Sequence, residues 1–246
     1  MLGSALGRMM YRRIVILTGA GISAESGMGT FRDKDGIWTT HRLEDVATPQ
    51  GFARNPTLVH SFYNLRRAGL KSAAPNRAHF ALAEFEQRAR SLGSDVMLVT
   101  QNVDDLHERA GSQSIVHMHG ELTSAVCASC GGRVRWEEDM SLESLCPSCG
   151  RQGALRPDVV WFGEVPHSID EIHDRISTCD LFVSIGTSGE VYPAAGFVRL
   201  AAGQGAHTVE LNLEPSANAG VFSEGLYGPA TQVVERWVNA VLSSDG

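Results

Sequence analysis

The sequence predicts an α/β protein: a doubly wound parallel sheet that carries a helical insertion and a small metal-stapled module. Three observations predict it. Four short apolar runs, rich in β-branched residues and each ending in small or polar residues, read as buried parallel strands. Helical patterns lie between or after them, the alternation expected of βα units. Two long stretches break that rhythm, and one of them holds four cysteines in two Cys-x-x-Cys pairs.

The first strand is "RIVILTGAG", which runs into a glycine-rich turn. The others are Asp95–Asn102, Asp180–Ser188 and His207–Pro215. Helices are expected from Asn76 ("NRAHFALAEFEQRARSL"), Ser168 ("SIDEIHDRIS"), Tyr192 ("YPAAGFVRLAA") and Ala230 ("ATQVVERWVNAVL"). The stretch between the first two strands is too long for one crossover helix. It includes "FYNLRR", where helical spacing puts Tyr63 and Arg66 on one face. The second break runs from about Gly120 to Pro157.

The 246 residues, 43% hydrophobic and 20% charged with 26 glycines, describe a soluble globular chain long enough for a real core. A net charge of −7 and the lack of any long basic run argue against nucleic acid as the main partner. No stretch has the length of apolar residues needed to span a bilayer. The first residues lack an apolar core followed by a cleavage site, so no secretory signal is read. Paired cysteines suit metal binding in a reducing compartment, which points to the cytoplasm. No strong self-association signal is present, so a monomer is expected.

Fifteen residues separate Cys127 and Cys130 from Cys146 and Cys149. Four thiolates at this spacing close a tetrahedral shell around zinc and leave no position for water, so a structural zinc is expected. Glycines follow both pairs, where backbone amides turn toward sulfur. Cys179, alone before an apolar run, reads as a small buried hydrophobe.

"GAGISAESG" begins as G-x-G-x-x-A after a strand, a weak fingerprint by itself. Gly19 and Gly21 would let backbone amides approach a pyrophosphate at a helix start. No acid follows in a second strand to bind a ribose; Asn212 and Glu214, at the end of a late strand, are candidate replacements. Gly186, Thr187 and Ser188 end another strand and could contact phosphate or ribose. Gln101, Asn102 and Asp104 offer amide and carboxylate groups for an amide and a ribose. His119 directly precedes the cysteine module. His117 reads as structural, and Asp105 and His107 as helix-start and surface residues.

"GAGISAESGMGTFRDKDGIW", "TQNVD", "HMHG", the two Cys-x-x-Cys pairs, "VVWFGE", "GTS" and "NLEP" occur in sirtuin order, and the chain resembles a bacterial sirtuin from about Arg13 to Leu242. "GMGTFR" departs from the family pattern, where many relatives have an aliphatic residue followed by proline; Thr30, Phe31 and Arg32 remain in place. The resemblance implies one catalytic domain. Its Rossmann-like NAD-binding part would cover about 10–31, 76–119 and 158–246, the helical insertion about 32–75, and the zinc module about 120–157.

It further implies NAD-dependent removal of acyl groups from protein lysines. NAD would lie on Gly19, Ala20, Gly21, Ile22 and Ser23, on Thr30, Phe31, Arg32 and Trp38, on Gln101, Asn102, Val103 and Asp104, and on Gly186–Ser188. Its adenosine would meet Asn212, Leu213, Glu214 and Ala230. The acyl oxygen attacks the ribose, nicotinamide leaves, and His119 acts as general base on a ribose hydroxyl. The peptide would bind as an added strand along Val160, Trp161, Phe162, Gly163 and Glu164 and around Val191. Sirtuins that remove acidic acyl groups resemble this chain at Ala47, Tyr63 and Arg66: a small residue leaves room, and Tyr-x-x-Arg meets a carboxylate. Removal of acetyl and of succinyl or malonyl groups is therefore expected, with Arg67 as a surface residue. Two alternatives share the site: mono-ADP-ribosyl transfer to protein, and a non-catalytic NAD-sensing module.

Overall fold

The computed structural model describes residues 10–29 and 41–243. The main sheet contains β1 (Arg13–Thr18), β2 (Asp95–Thr100) and β3 (Ile115–His117). A second sheet follows, made of β4 (Gly120–Cys127), β5 (Arg133–Arg135) and β6 (Leu155–Val159). The chain then returns to the main sheet with β7 (Leu181–Ile185), β8 (His207–Asn212) and β9 (Glu224–Tyr227). The six-stranded order is β3-β2-β1-β7-β8-β9, parallel throughout, and the three-stranded order is β5-β4-β6, antiparallel. All four expected strands are present. β3 and β9 were not anticipated, because three or four residues carry too little periodicity to read.

The helices α1 (Leu43–Val46), α2 (Pro49–Arg54) and α3 (Pro56–Ser72) form the insertion. The sheet's own helices are α4 (Arg77–Ser91), α5 (Leu106–Ala110), α6 (Ile169–Thr178), α7 (Phe197–Gly203) and α8 (Ala230–Ser243). The helix expected from Tyr192 starts later, at Phe197, after a 3-10 turn over Ala194–Gly196.

Alternation along each strand sends odd and even residues to opposite faces. Ile14, Ile16, Val96 and Leu98 pack with Leu82 and Phe85 of α4 and Val234 and Trp237 of α8. Val15, Leu17, Met97 and Val99 pack with Ile172 and Ile176 of α6 and Phe197 and Val198 of α7. Both faces are covered, as a parallel sheet requires. α4 starts on a capping box in which the Asn76 side chain accepts from Ala78 N–H and His79 Nδ1 accepts from Asn76 N–H.

A third core joins Val46, Ala47, Val59, Phe62 and Tyr63 of the insertion to Val103, Leu122, Val159 and Trp161. The cysteine module has only a small core of its own: Ala125, Cys127, Met140, Cys146 and Leu155. The third core therefore lies where insertion, module and sheet meet.

Candidate active site

Two βα turns cross at the carboxyl edge of the sheet. Gly19 N–H donates to Ile185 O (2.9 Å) and Gly21 N–H to Gly186 O (2.8 Å). A Cβ on Gly21 would sit 2.7 Å from Gly186 Cα, and one on Gly186, at φ +62, 2.5 Å from Ile22 N. These glycines let the turns touch, and the amides of Gly19 and Gly21 are spent on that contact. Any backbone amide that approaches a pyrophosphate at this turn is therefore not one of those two. Asn212 Nδ2 donates to Thr187 O (2.8 Å), tying β8 to the same edge, while Leu213 and Glu214 are exposed beyond it. Ser188 Oγ accepts from Glu190 N–H, and Ala230 opens α8, whose Thr231 is held by Glu25. Thr30, Phe31, Arg32 and Trp38 lie outside the described residues.

Ser23 is the polar hub of the cleft. Its hydroxyl donates to Asp104 Oδ2 (3.0 Å) and accepts from Asn102 Nδ2 (3.1 Å), and Asn102 Nδ2 also reaches Gly19 O (3.2 Å). All three residues are buried. His79, whose Nδ1 is already an acceptor, presents Nε2–H to Ser23 Oγ at 3.4 Å. Burial raises the Asp104 carboxyl, against the opposing donors Leu106 N–H and Ser23 O–H. Ala20 and Ile22 precede Ser23 in its turn, and Val103 lies between Asn102 and Asp104 in sequence; Ile22 and Val103 are buried. Gln101 Nε2 is a buried donor without a partner among the described residues, so an incoming acceptor would be satisfied there.

His119 stands on the rim of this hub. Its Nδ1 lies 3.1 Å from Gln101 O. A carbonyl can only accept, so Nδ1 carries the proton and Nε2 keeps its lone pair. Burial lowers the imidazole pKa, His167 adds to that, and the Gln101 hydrogen bond opposes it. A neutral imidazole with Nε2 basic is the species suited to take a proton. His117 is different: burial pushes its pKa down, but the Glu108 hydrogen bond (2.6 Å) and charge outweigh that and raise it. The structural reading of His117 agrees with that pairing. Asp105 does precede α5. The surface reading of His107 is wrong: it is fully buried, because its Nε2 lies 3.0 Å from Thr18 Oγ1 at the end of β1 and its ring packs edge-on against His79 of α4.

Across the cleft, Tyr63 is buried and its hydroxyl accepts from Trp161 Nε1 (2.9 Å). An indole N–H only donates, so the phenol proton remains for a further acceptor. Burial raises the Tyr63 pKa, which keeps that proton in place. The half-buried Arg66 guanidinium lies 5.8 Å from the Tyr63 ring centroid and within charge reach of Asp104. Ala47 packs in the same core, and its carbonyl accepts from Phe162 N–H (3.0 Å).

Two expectations are corrected here. Val160–Glu164 is not an open strand edge. β6 ends at Val159, Val160 N–H is spent on His119 O, Glu164 N–H on Trp161 O, and the Glu164 carboxylate accepts from Trp161 N–H. The Glu164 carboxylate also grips both Arg156 terminal nitrogens (2.9 and 3.0 Å), and that guanidinium lies 4.1 Å from the Trp161 ring centroid. Gly163, at φ +90, makes the turn possible. Phe162, Val191 and Tyr192 form an exposed apolar rim instead. Arg67 is not a surface residue: it is 2% exposed, with Nε donating to Leu122 O (2.8 Å) and Nη1 to Asn64 Oδ1 (2.9 Å). Arg66 and Arg67 lie about 100° apart around α3, and the second faces the cysteine module. Nothing in the local sequence separates the two arginines.

The four sulfurs of Cys127, Cys130, Cys146 and Cys149 lie within 4.8 Å of one another, with two pairs at 3.9 Å. A tetrahedron with ~2.3 Å metal–sulfur bonds has edges of about 3.8 Å, so the residues fit zinc. The two knuckles repeat one pattern: Gly131 N–H to Cys127 O and Gly150 N–H to Cys146 O, both 2.8 Å, with both glycines left-handed. With four thiolate ligands the site is closed, and its role is structural.

Fold and cleft together define a nucleotide-binding α/β protein whose catalytic-type histidine lies between the sheet edge and a zinc module. A family model described as the Sir2 family matches residues 19–193, and the chain belongs to that family. A protein of Caulobacter vibrioides named NAD-dependent protein deacylase is 57% identical over 233 residues, covering 94% of this chain and 97% of that one. One of the same name from Salmonella typhimurium is 56% identical over 232 residues, covering 94% and 84%. A solved complex of a Sir2 homologue with NAD superposes with a TM-score of 0.86 at 38% identity, covering 96% and 92%.

Proposed function

We propose that this protein is an NAD-dependent protein-lysine deacylase that accepts acetyl groups and, through Tyr63 and Arg66, succinyl and malonyl groups. NAD, the co-substrate, supplies a ribose activated by its nicotinamide leaving group. Gly19–Ser23, Gly186–Ser188, Asn212–Glu214 and Ala230 hold it along the sheet edge. Asn102 and Asp104, aligned through Ser23, orient the nicotinamide ribose, and Gln101 Nε2 receives the carboxamide oxygen. His119 Nε2 takes a proton from a ribose hydroxyl, and the acyl group leaves the lysine for that sugar. One water is consumed as the carbon–nitrogen bond to lysine breaks, and the products are nicotinamide, O-acyl-ADP-ribose and free lysine. The observation that carries this reading is the His119–Gln101 hydrogen bond, which fixes the tautomer a general base needs.

The acylated peptide crosses the rim formed by Phe162, Gly163 and Val191, and its acyl chain enters between His119 and Trp161. Ala47, Tyr63 and Arg66 surround the end of that chain. Support for acidic acyl groups is the pairing of a phenol whose proton is uncommitted with a half-buried guanidinium. We also propose a cytoplasmic monomer, in keeping with four thiols poised for metal; no helix among the described residues is long and apolar enough to cross a membrane.

The test is mass spectrometry of products from zinc-loaded protein, NAD and acetyl-, succinyl- and malonyl-lysine copies of one peptide. Deacylated peptide and O-acyl-ADP-ribose are expected only with NAD present, and both should vanish with His119→Ala. Deacylation without NAD would overturn the reading, as would transfer of ADP-ribose to protein as the main product.

A further inference from the structure

His117 faces an acceptor on each side. Its Nδ1 lies 3.3 Å from the Asn102 carbonyl oxygen, and its Nε2 lies 2.6 Å from Glu108 Oε1. A carbonyl and a carboxylate can only accept, while a neutral imidazole has a single N–H. The geometry therefore requires the doubly protonated ring. Glu108, His117 and Glu121 also present ligand atoms within 4.8 Å of one another. Two donors at ~2.1 Å from one metal ion stand about 3 Å apart or more. The 2.6 Å spacing is instead that of a shared proton.

The Asn102 contact belongs to a series. Four successive carbonyls, from the end of β2 into the loop that carries Asn102, are met by the segment running from β3 into β4. Thr100 O accepts from Met118 N–H (3.1 Å), Gln101 O from His119 Nδ1–H (3.1 Å), Asn102 O from His117 Nδ1–H (3.3 Å) and Val103 O from Leu122 N–H (2.8 Å). Two of these donors are backbone amides, and His119 keeps its Nδ1 proton as a neutral ring. Only the His117 donor depends on a second proton. When the ring loses one, the carboxylate, the stronger acceptor, retains the N–H that is left. Nδ1 then turns a lone pair toward Asn102 O, and the loop loses one of its four holds.

The charged and titratable groups around the ring are Glu108 and His107 of α5, Glu121 of β4, and Asp104 in the loop. Burial lowers the His117 pKa, but Glu108, then Glu121 and the Asn102 carbonyl, outweigh it and raise the value above that of an ordinary histidine. The second proton is thus present at low pH and lost as pH rises through a midpoint above 6.5. His119, two residues on, is shifted the opposite way. While charged, His117 also opposes the burial that raises the Asp104 carboxyl.

We infer that His117 is a positioning residue for the nicotinamide end of the NAD site: as an imidazolium held by Glu108 it fixes the Asn102 carbonyl, and loss of one proton releases it. This rests on the proposed placement of NAD and adds the residue that sets the loop and makes NAD affinity sensitive to pH.

The test reads NAD affinity by calorimetry on zinc-loaded protein from about pH 6.5 to 9, without peptide. In the native protein affinity should fall about three- to tenfold as pH rises, the worth of one neutral hydrogen bond. Glu108→Gln removes the competing acceptor. The glutamine amide donates to Nε2, the neutral ring keeps Nδ1–H on Asn102 O, and affinity should stay high and level. His117→Phe removes the donor, so affinity should be low and level. Thermal melting shows whether that variant is folded, and Glu108→Gln, at an exposed position, decides the matter without it. Glu235→Gln, the same charge change on the exposed face of α8, should titrate like the native protein. Nitrogen-15 NMR should show both His117 ring nitrogens protonated below a midpoint above pH 6.5, with that midpoint falling in Glu108→Gln. A level native profile, an unchanged fall in Glu108→Gln, or a ring with one N–H throughout would overturn the inference. Because no deacylation is measured, failure of the proposed reaction would leave this result standing on its own.

Discussion

Replacing Arg66 with methionine separates the proposed acidic-acyl pocket from the rest of the machinery. Methionine keeps an unbranched stem of similar reach and removes only the guanidinium. In the native pocket that group is half-buried beside Tyr63, so a substrate carboxylate would meet it where water screens poorly. One hydrogen bond to a charged partner contributes about 1.5–3 kcal/mol, or roughly 10- to 150-fold in kcat/KM. Arg66→Met should therefore slow desuccinylation by that factor and leave deacetylation within about threefold. The assay compares kcat/KM on acetylated and succinylated copies of one peptide at fixed NAD. Thermal melting confirms that the variant is folded.

Tyr63→Phe is the less specific partner of that experiment. The Tyr63 hydroxyl is the acceptor for Trp161 Nε1–H, and removing it strands a buried donor at a cost of about 1–3 kcal/mol. That loss should depress both activities, with the succinyl substrate losing more. The reasoning is refuted if Arg66→Met lowers both rates equally or lowers neither.

The pH profile of the chemical step should rise to its plateau with a midpoint below 6.5, because burial lowers the His119 pKa and the base form is the neutral one; a midpoint above 7 in kcat/KM would contradict this. Gly186→Ala should cost NAD affinity measured by calorimetry, and stability as well, since its Cβ would lie 2.5 Å from Ile22 N at a left-handed φ. Gly203→Ala, with open space around it at the end of α7, should be neutral or stabilising. Stripping zinc with a chelator should unfold the cysteine module and abolish activity, with recovery on adding zinc back, because five buried residues are too small a core to hold it.

The sheet was legible because its strands are buried on both faces and read as continuous apolar runs. The zinc site was legible because ligand spacing alone nearly determines it. β3, at three residues, was not legible, since its identity comes from pairing with β2 and not from its own sequence. In the cleft, residue types singled out Asn102, Asp104 and His119, and only the family resemblance brought in Ser23; the fold hydrogen-bonds Ser23 to Asn102 and Asp104 and sets His119 against Gln101 O. The close contact that requires Gly19 and Gly21 was not legible, because their Cβ atoms would meet Gly186 and Thr187, far away in the sequence. The fate of Arg67 depends on the carbonyls of Leu122 and Glu138, and Trp161 is fixed by Arg156 and Glu164. None of these partners announces itself by spacing.

The zinc module matters to the cleft through its two central strands. β4 begins at Gly120, immediately after His119, and β6 ends at Val159, two residues before Trp161. Gly120 pairs with Val159, and a Cβ on Gly120 would overlap Asp158 O, so only glycine allows the strands to close there. At the other end of the same two strands, Cys127 pairs with Leu155. The sulfur cluster thus fixes one end of a short antiparallel ladder, and the other end sets the distance between His119, the proposed general base, and Trp161, at the proposed acyl pocket. Without the metal, the ladder would have only a five-residue core to keep its register. The histidine and the tryptophan would then lose their common support, although neither touches zinc.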